Sequence, residues 1–405
     1  MIKNKITKFD IIFLLREIRE GDCLIYLDNA ATSFPKPQEV YDRIMEVMTK
    51  YCANPGRSGH DLALEAGRII YDSREKVANF FNIDDPMQLA FTANASMALN
   101  MGIKGALKKG DHAITSSMEH NSVLRPLHKL KEDGVIELTV VECNEDGTID
   151  LNKLEGAIKE NTKLIALTHA SNVSGTKFPV EEIGEIAKRK NVLFLLDSSQ
   201  TAGIYDIDVK KMNIDIMGSA GHKSMLGPQG TGILYINPEI ELDTIIEGGT
   251  GSQSAFVTQP DMMPDKFETG TPNTPGIAGL GAGIDYINKV GIENIRNHEE
   301  NLARKFIEEL RKIDIIKIYG PEDFSKRVPV VSINIGEEDS SEVGYILNSE
   351  YGICTRPGLH CAPLTHRTLG TFEQGTVRFS FGIFNTEEEV MKAVGAIKDI
   401  CNSIV

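Results

Sequence analysis

Short runs of valine, isoleucine and leucine alternate with segments of helical periodicity along most of the first 240 residues. Residues 163–168, 192–196 and 232–236 are apolar runs of strand length, and residues 180–188 carry apolar side chains at helical spacing. Apolar strands separated by helices are typical of a parallel sheet that is covered on both faces. The alternation therefore predicts an α/β fold with a mostly parallel central sheet.

The pattern changes at about residue 274. A long helical stretch is predicted up to about residue 310, and short strands follow at 328–335 and 376–381 together with two further helices. This mixture favours a smaller α+β domain behind the large one. We divide the chain into an N-terminal segment that packs with the small domain (1–35), a large domain (36–280) and a small C-terminal domain (281–405).

The charge and hydropathy of the chain limit what it can bind. Its 58 acidic and 43 basic residues give a net charge of −15, which argues against nucleic acid as a partner, because that affinity rests on clustered lysine and arginine. No apolar run approaches the roughly 20 residues of a membrane-spanning helix, so no membrane partner is expected. The apolar patch at 11–15 is short and flanked by charges, which predicts an amphipathic helix rather than a signal peptide.

The six cysteines are scattered, and none forms a CxxC pair. A chain of 405 residues can bury a sizeable core without disulfide bonds, so this usage favours a reducing cytoplasm. Cys354, His360, Cys361 and His366 have a spacing that fits no common zinc pattern, and we expect no metal site there.

Polar residues that directly follow the predicted strands are the candidates for chemistry, because ligands of open α/β sheets bind beyond the carboxyl ends of the strands. Asp197 follows the run at 192–196. It is either a helix cap or an anionic partner for a protonated ring nitrogen. Lys223 lies among small residues directly after His222. It is either a solvated surface charge or a desolvated amine suited to covalent chemistry with a carbonyl group.

Three further positions belong to the same predicted edge of the sheet. A strand turns into a helix between Thr92 and Ser96, and the free N–H groups of a helix start form either a simple cap or an anion site for a phosphate group. His120 follows the strand at 112–116 and places an imidazole at this edge. Asn172 follows the strand at 163–168, as a ligand contact or as a turn residue.

The C-terminal part of the chain contributes a second cluster at residues 356–363. Cys361 directly follows His360 and lies close in sequence to Arg356. Cationic neighbours lower the pKa of a thiol, so we expect a reactive thiolate here. The alternative is a buried, inert cysteine.

The order of these signals along the chain resembles the class V aminotransferase family of pyridoxal 5'-phosphate enzymes, and within it the cysteine desulfurase and selenocysteine lyase branch. The resemblance extends from about residue 26 to residue 386. Gly221-His-Lys223 and Gly270-Thr-Pro-Asn273 are similar to motifs of the whole family. The segment Arg356-Pro-Gly-Leu-His-Cys361 resembles the desulfurase branch, because the transaminase and epimerase relatives lack a cysteine there.

The resemblance implies the fold of type I pyridoxal-phosphate transferases, with a mostly parallel seven-stranded sheet and a smaller α+β domain that carries the catalytic cysteine. It implies that Lys223 binds the cofactor covalently, that Asp197 pairs with the ring nitrogen, and that His120 stacks on the ring. The other cofactor contacts that it implies are Gln200, Asn172, Ala95, Ser96, His222 and Thr271.

The same resemblance implies a substrate site and a sulfur acceptor. Arg378 is similar to the arginine that binds the substrate carboxylate, for which a guanidinium is suited, and Arg356 is a second candidate. Asn172, Ala30 and Ala31 complete the implied substrate contacts. Cys361 resembles the residue that takes the substrate sulfur as a persulfide.

L-cysteine is therefore the expected substrate, and L-alanine the expected product. The first alternative is a selenocysteine lyase, which uses the same residues on L-selenocysteine. A class V transaminase or β-lyase leaves Cys361 without a task, and a scaffold without activity leaves Lys223 and Asp197 unused.

The implied partners are a second copy of the chain and a sulfur-acceptor protein, and iron–sulfur cluster biogenesis is an implied use of the sulfur. Thr271 is similar to a residue that reaches the cofactor phosphate of the neighbouring subunit, which implies a homodimer with shared sites. The chain departs from many relatives at Ala220, where they carry a hydroxyl, so that Ser219 is the candidate substitute. It departs again at residues 95–97, where they carry Thr-Thr-Glu.

Overall fold

The computed structural model describes residues 24–55 and 59–404. The predicted N-terminal amphipathic helix lies outside the described residues. The strands are β1 (Ile25–Tyr26), β2 (Leu89–Thr92), β3 (His112–Ser116), β4 (Glu137–Val141), β5 (Thr162–Thr168), β6 (Leu193–Asp197), β7 (Ile216–Ala220), β8 (Gly232–Ile236), β9 (Ile316–Ile318), β10 (Val330–Ile335), β11 (Ile353–Cys354), β12 (Arg356–Gly358) and β13 (Thr376–Ser380).

Helices cover the strands on both sides. In chain order they are α1 (Gln38–Lys50), α2 (Asp61–Phe80), α3 (Ala95–Ala106), α4 (Asn121–Glu132), α5 (Leu151–Gly156), α6 (Val180–Arg189), α7 (Thr274–Val290), α8 (Ile292–Leu310), α9 (Ser340–Tyr351), α10 (Pro363–Thr368) and α11 (Glu387–Ile404). Within the described residues, no helix is long and apolar enough to cross a membrane.

The large sheet has seven strands in the order β2-β8-β7-β6-β5-β3-β4. Only β8 runs against its neighbours, and the pairs from β7 to β4 are parallel. The prediction of a mostly parallel, seven-stranded sheet is confirmed.

The apolar run of β5 shows why this sheet reads as uninterrupted valine, isoleucine and leucine. Ile165 and Leu167 pack into the core on one face, whereas Leu164 and Ala166 pack into a second core on the other. Side chains alternate between the faces of a strand, so a sheet that is buried on both faces needs apolar residues at every position.

Several predicted elements differ from the structure. The single helical stretch up to residue 310 is wrong: α7 and α8 are separated by Gly291, whose φ of 91° ends the first helix. The strand predicted at 214–217 is β7, and it extends to Ala220. Three helices, rather than two, follow α8 in the described C-terminal part. No helix or strand was predicted within residues 36–87, where α1 and α2 lie.

The small domain contains a four-stranded antiparallel sheet in the order β12-β13-β10-β9. β1, from the start of the described chain, pairs in parallel with β11 of this part. The predicted boundary at residue 280 falls inside α7, and Ile284 and Ile287 beyond it still pack into the large-domain core. A break at Gly291 fits this packing better, and the division into domains stays a prediction.

Candidate active site

A cavity of ≈ 190 Å³ opens where the carboxyl ends of the large sheet meet the small domain. The last residues of three neighbouring strands line it, namely Thr168 of β5, Asp197 of β6 and Ala220 of β7. A larger cavity of ≈ 400 Å³ lies elsewhere, between α1, α2 and α7, and contains none of the predicted site residues.

The structure brings most of the predicted residues together in the smaller cavity. Cys361 is not in its wall but lies beside Arg356, which is. Thr271 is exposed in the loop before α7 and does not line the cavity. The predicted residues that line it are Ala30, Ala31, Ala95, Ser96, His120, Asn172, Asp197, Gln200, His222, Lys223, Arg356 and Arg378.

Lys223 lies in the turn that follows β7, with its side chain in the cavity wall. The pKa of its amine is lowered to about 8, chiefly by burial; the charge of Asp197 opposes this shift, and the charge of Arg378 contributes to it. The interpretation as a solvated surface charge is therefore wrong. A lysine with this pKa carries a substantial neutral fraction near neutral pH and is suited to nucleophilic or basic chemistry.

Two residues of the segment after β1 form hydrogen bonds with the turn that contains Lys223. Ser33 Oγ donates to the carbonyl of Lys223 over 2.8 Å, and Lys36 Nζ donates to the carbonyl of His222 over 2.6 Å. Burial lowers the pKa of Lys36 to about 7. The sequence analysis did not identify these supports, because nearly 190 residues separate them from the turn.

Asp197 is the buried last residue of β6. Its Oδ1 accepts hydrogen bonds from the backbone N–H of Ser199 over 3.0 Å and from Ser199 Oγ over 2.5 Å. Both predicted roles are thus compatible: the carboxylate caps the following turn and still borders the cavity. Gln200, from the same turn, donates to the carbonyl of Ala30 over 3.2 Å.

His120 caps the start of α4. Its Nδ1 accepts from the backbone N–H of Ser122 over 3.1 Å, so this nitrogen carries no proton. Burial lowers the pKa of the imidazole to about 4, and the charge of Lys223 adds to the shift. The ring is therefore neutral at physiological pH. Ser122 also lies 2.6 Å, Oγ to Oγ, from Ser96, and the sequence analysis missed it.

The part of the cavity that is lined by the start of α3 is suited to an anion. Asn94 caps α3 through its Oδ1, and the first helical residues, Ala95 and Ser96, line the cavity. The first N–H groups of a helix have no intrahelical partner and attract negative charge. His222 Nδ1 is buried at this cavity without a hydrogen-bond partner among the described residues.

Ser219 does not supply the missing hydroxyl at this end. Ala220 lines the cavity, and successive residues of a strand point to opposite faces. The hydroxyl of Ser219 is buried and is not part of the cavity wall. The prediction that Ser219 substitutes for the hydroxyl is therefore wrong for this geometry.

Arg378 of β13 is 1% exposed and reaches the cavity from the small domain. Its Nη2 forms an ion pair of 2.6 Å with Asp28, and its Nη1 donates to the carbonyl of Asn172 over 3.1 Å. Its Nε has no partner among the described residues. Burial lowers the pKa of the guanidinium, and the charge of Asp28 opposes this. Asp28 was not predicted, although it lies only two residues before Ala30, which was.

Cys361 is exposed, and its Sγ lies 3.5 Å from Arg356 Nη2. The alternative of a buried, inert cysteine is wrong. His360 and Cys361 both adopt left-handed backbone angles, with φ of 51° and 59°. Their carbonyls are held from the large domain, by Asn172 Nδ2 and by the N–H of Asn121, each over 2.8 Å.

The expected imidazole neighbour of the thiol is turned away from it. His360 Nε2 faces the carbonyl of Arg356 at 2.8 Å, and its Nδ1 faces His366 Nε2 at 3.2 Å. Arg356, not His360, is therefore the cationic group beside Cys361. The described residues contain no group of three or more histidine, cysteine or acidic side chains placed to hold a metal ion.

Comparison with known proteins gives consistent matches over nearly the whole chain. Residues 25–392 match the family model described as aminotransferase class-V. A probable cysteine desulfurase of Methanothermobacter thermautotrophicus is 37% identical over 93% of this chain and 94% of its own length. A probable cysteine desulfurase of Pyrococcus abyssi is also 37% identical, over 94% and 95% of the two chains.

Solved structures agree in fold. The apo cysteine desulfurase of Thermococcus onnurineus superposes with a TM-score of 0.87 at 35% identity, covering 94% of this chain and 95% of that one. The cysteine desulfurase CsdA of Escherichia coli, with an S-sulfonic acid, superposes with a TM-score of 0.84 at 27% identity, with 94% and 95% covered.

Proposed function

Because the chain belongs to the aminotransferase class-V family, we propose that it is a pyridoxal 5'-phosphate-dependent cysteine desulfurase, which takes sulfur from L-cysteine and leaves L-alanine. The observation that carries this function is the placement of an exposed thiol, Cys361, beside Arg356 at a cavity that also contains a desolvated lysine, Lys223. A lysine alone is common to the family. An exposed thiol beside the cavity is what sulfur transfer requires in addition.

The cavity fits the cofactor. The unpartnered Nδ1 of His222 and the helix start at Ser96 suit its phosphate group. The amine of Lys223 suits its aldehyde, the carboxylate of Asp197 suits its protonated ring nitrogen, and the neutral imidazole of His120 suits its ring face. We propose the same cofactor-binding role for Gln200, Asn172 and Ala95.

When bound, pyridoxal 5'-phosphate supplies an electron sink for negative charge that develops at the substrate Cα. Lys223 is the residue that we propose to remove the Cα proton. Its amine has a pKa of about 8, so it accepts a proton near neutral pH and can return it later.

Arg378 and Arg356 hold the substrate carboxylate in this proposal. Arg378 keeps Nε free of partners among the described residues, and Asn172 fixes the other side of the guanidinium. Ala30 and Ala31 line the same wall with small side chains, which leaves room for the substrate.

Cys361 is the proposed sulfur acceptor. Its thiolate attacks the sulfur of the substrate, an S–S bond forms, and the C–S bond of the substrate breaks. The electron pair of that bond stays with the carbon skeleton, which takes up protons and leaves as L-alanine. The net reaction converts L-cysteine and the Cys361 thiol into L-alanine and a Cys361 persulfide.

L-selenocysteine is the alternative substrate, since the same residues would act on selenium. The names of the similar proteins favour desulfuration. A transaminase or β-lyase would leave Cys361 unused.

We further propose a homodimer and a sulfur-acceptor protein as partners. The exposed loop before α7, which contains Thr271, Phe256 and Val257, supports the dimer, because it offers large apolar side chains to a second copy. The exposed position of Cys361 supports transfer to an acceptor. We also propose a reducing cytoplasm as the compartment, on the scattered cysteines of the sequence.

Product analysis tests the function. The purified, cofactor-loaded protein is incubated with L-cysteine and a thiol reductant, and alanine and sulfide are measured. We expect equal amounts of both, and one extra sulfur on Cys361 by intact mass when the reductant is omitted. Cys361→Ala should lose the extra sulfur and the activity. Pyruvate in place of alanine, or an unchanged Cys361→Ala variant, would contradict the proposal.

A further inference from the structure

A pair of stacked imidazoles lies beneath the loop that carries Cys361. The rings of His360 and His366 are 5.4 Å apart between centroids, with 16° between their planes. Both residues are buried, with 2% and 0% of their surface exposed. Neither ring lines the cavity, and the proposed reaction uses neither of them.

The hydrogen bonds of the pair run in one direction only. A carbonyl can only accept, so His360 Nε2 carries the proton that it donates to the carbonyl of Arg356 over 2.8 Å. His360 Nδ1 is then a bare acceptor, and His366 Nε2 must donate to it over 3.2 Å. This leaves His366 Nδ1 to accept from the hydroxyl of Thr371 over 2.7 Å.

This direction holds while both rings are neutral, and burial favours the neutral form of each ring. Burial lowers the pKa of His366 to about 4 and shifts the pKa of His360 in the same direction, and the charges of Arg378 and Arg356 add to the shift at His360. The chain of hydrogen bonds from the Thr371 hydroxyl to the carbonyl of Arg356 thus keeps the same donors and acceptors throughout the physiological pH range.

This chain of hydrogen bonds leads to the two residues that matter for sulfur transfer, Arg356 and Cys361. Arg356 is fixed through its carbonyl, and its guanidinium lies 3.5 Å from Cys361 Sγ. His360 directly precedes Cys361, and both residues have left-handed backbone angles. For non-glycine residues this conformation costs free energy and persists only where the surroundings enforce it.

We propose that His366 is a positioning residue for sulfur transfer: through His360 it holds the left-handed turn that keeps the Cys361 thiol against the Arg356 guanidinium. The proposal rests on the sulfur-acceptor role of Cys361. It assigns a task to His366, which lies five residues from the thiol and contacts neither the substrate nor the cofactor cavity.

The test compares substitutions that remove both, one or neither of the two hydrogen bonds of the His366 ring. His366→Leu removes both bonds of the ring at similar volume. His366→Gln retains an N–H donor for His360 and an acceptor for Thr371. Thr371→Val removes only the hydroxyl and keeps the shape, so it serves if His366→Leu fails to fold. His112→Leu is the matched control, because His112 is also buried between two hydroxyls, of Thr162 and Thr139, but lies at the amino end of β3.

Two readouts separate positioning from general stability. The first is the steady-state rate of alanine formation, in which we expect kcat of His366→Leu to fall roughly 10-fold or more while KM for L-cysteine stays within about twofold, since a displaced nucleophile affects the chemical step. The second is the alkylation rate of Cys361 by iodoacetamide at pH 7, followed by peptide mass spectrometry. We expect this rate to fall in the apoenzyme as well, because the sulfur leaves its position beside the Arg356 guanidinium.

His366→Gln should restore most of both rates, Thr371→Val should lie between it and His366→Leu, and His112→Leu should lose stability but keep kcat. A folded His366→Leu variant with the kcat and alkylation rate of the wild type would overturn the proposal. So would a His366→Gln variant as impaired as His366→Leu, or a Thr371→Val variant without effect where His366→Leu does not fold. Failure of the proposed function is distinct, because the wild type itself would then form no alanine.

Discussion

Arg356 and Arg378 are direct cross-strand partners on β12 and β13. Like charges directly opposite each other destabilise a sheet, and Asp28 neutralises only the second of them. No acidic side chain of the described residues forms an ion pair with Arg356, which lines the cavity with the thiol of Cys361 at one side of it. The arrangement is suited to a substrate that brings its own carboxylate.

Replacing Arg378 with lysine should weaken substrate binding. A lysine ammonium cannot keep the ion pair with Asp28 and the hydrogen bond to the Asn172 carbonyl and also bind the substrate carboxylate. We expect KM for L-cysteine to rise roughly 10-fold or more, in line with about 1.5–3 kcal/mol for a hydrogen bond to a charged group. Steady-state kinetics of alanine formation measures this. Arg367→Lys, an exposed arginine that stacks on Phe372, is the control and should leave KM unchanged. An unchanged KM for Arg378→Lys would exclude the proposed carboxylate site.

Asp28→Asn keeps a hydrogen-bond acceptor for Arg378 but removes the compensating charge. The variant should be destabilised by about 2 kcal/mol, less than the loss of a fully buried partner, because Asp28 is 20% exposed. At the same time KM for L-cysteine should decrease, since the substrate carboxylate becomes the main counter-charge. Denaturant unfolding and steady-state kinetics provide the two measurements. A rise in KM would mean that Asp28 orients Arg378 rather than competing with the substrate.

Lys223 should lower the stability of the apoenzyme at neutral pH. Its pKa falls from 10.5 in the unfolded chain to about 8 in the folded one, so the unfolded state binds the proton more tightly. The resulting cost is full below pH 8 and is relieved as the pH rises toward 10.5. Lys223→Met should therefore be more stable than the wild-type apoenzyme at pH 7, by as much as about 3 kcal/mol, and the difference should shrink by pH 10.

Unfolding at both pH values checks this expectation. Lys188→Met, which changes an exposed lysine of α6, should show no such pH dependence. A stability difference that is constant from pH 7 to pH 10 would mean that the amine of Lys223 is solvated.

Glu119 should make the protein less stable as the pH rises. The carboxyl is fully buried beside the cavity, and burial, aided by the charge of Asp197, raises its pKa from 4.5 to about 8. The unfolded chain releases this proton near pH 4.5 and the folded chain only near pH 8, so stability is lost between these values. Glu119→Gln should therefore gain stability relative to the wild type between pH 5 and pH 8.

Thermal or denaturant unfolding at the two pH values measures that gain. The control is Glu137→Gln, because Glu137 is an exposed residue of β4. An equal effect of the two substitutions would contradict the buried, protonated state of Glu119.

The sequence predicts the large domain and its lysine well, for a local reason. Asp197 and Lys223 follow apolar runs that only a buried strand explains, and the carboxyl ends of neighbouring parallel strands meet at one edge. The small domain is harder to predict, because β11 and β12 have two and three residues, too few for a period to be visible.

Contacts between distant segments were beyond sequence reasoning. The ion pair of Arg378 with Asp28 joins residues 350 positions apart, and no local pattern indicates it. The orientation of His360 is similar: adjacency to Cys361 suggested an imidazole beside the thiol, but the left-handed backbone turns the ring toward His366. The prediction for Ser219 was wrong for a simpler reason. Neighbouring residues of a strand point to opposite faces of the sheet, and it is Ala220 that lines the cavity.

The pairing of β1 with β11 sets when the enzyme can start to work during its synthesis. Ile25 and Tyr26 leave the ribosome long before Ile353 and Cys354, their partners more than 320 residues later in the chain. Asp28 likewise meets Arg378 only when the chain is almost finished. A nascent chain that already contains Lys223 therefore still lacks Arg378 and Cys361, the proposed carboxylate-binding residue and the proposed sulfur acceptor. We therefore expect an unfinished chain on the ribosome to release no sulfide from L-cysteine.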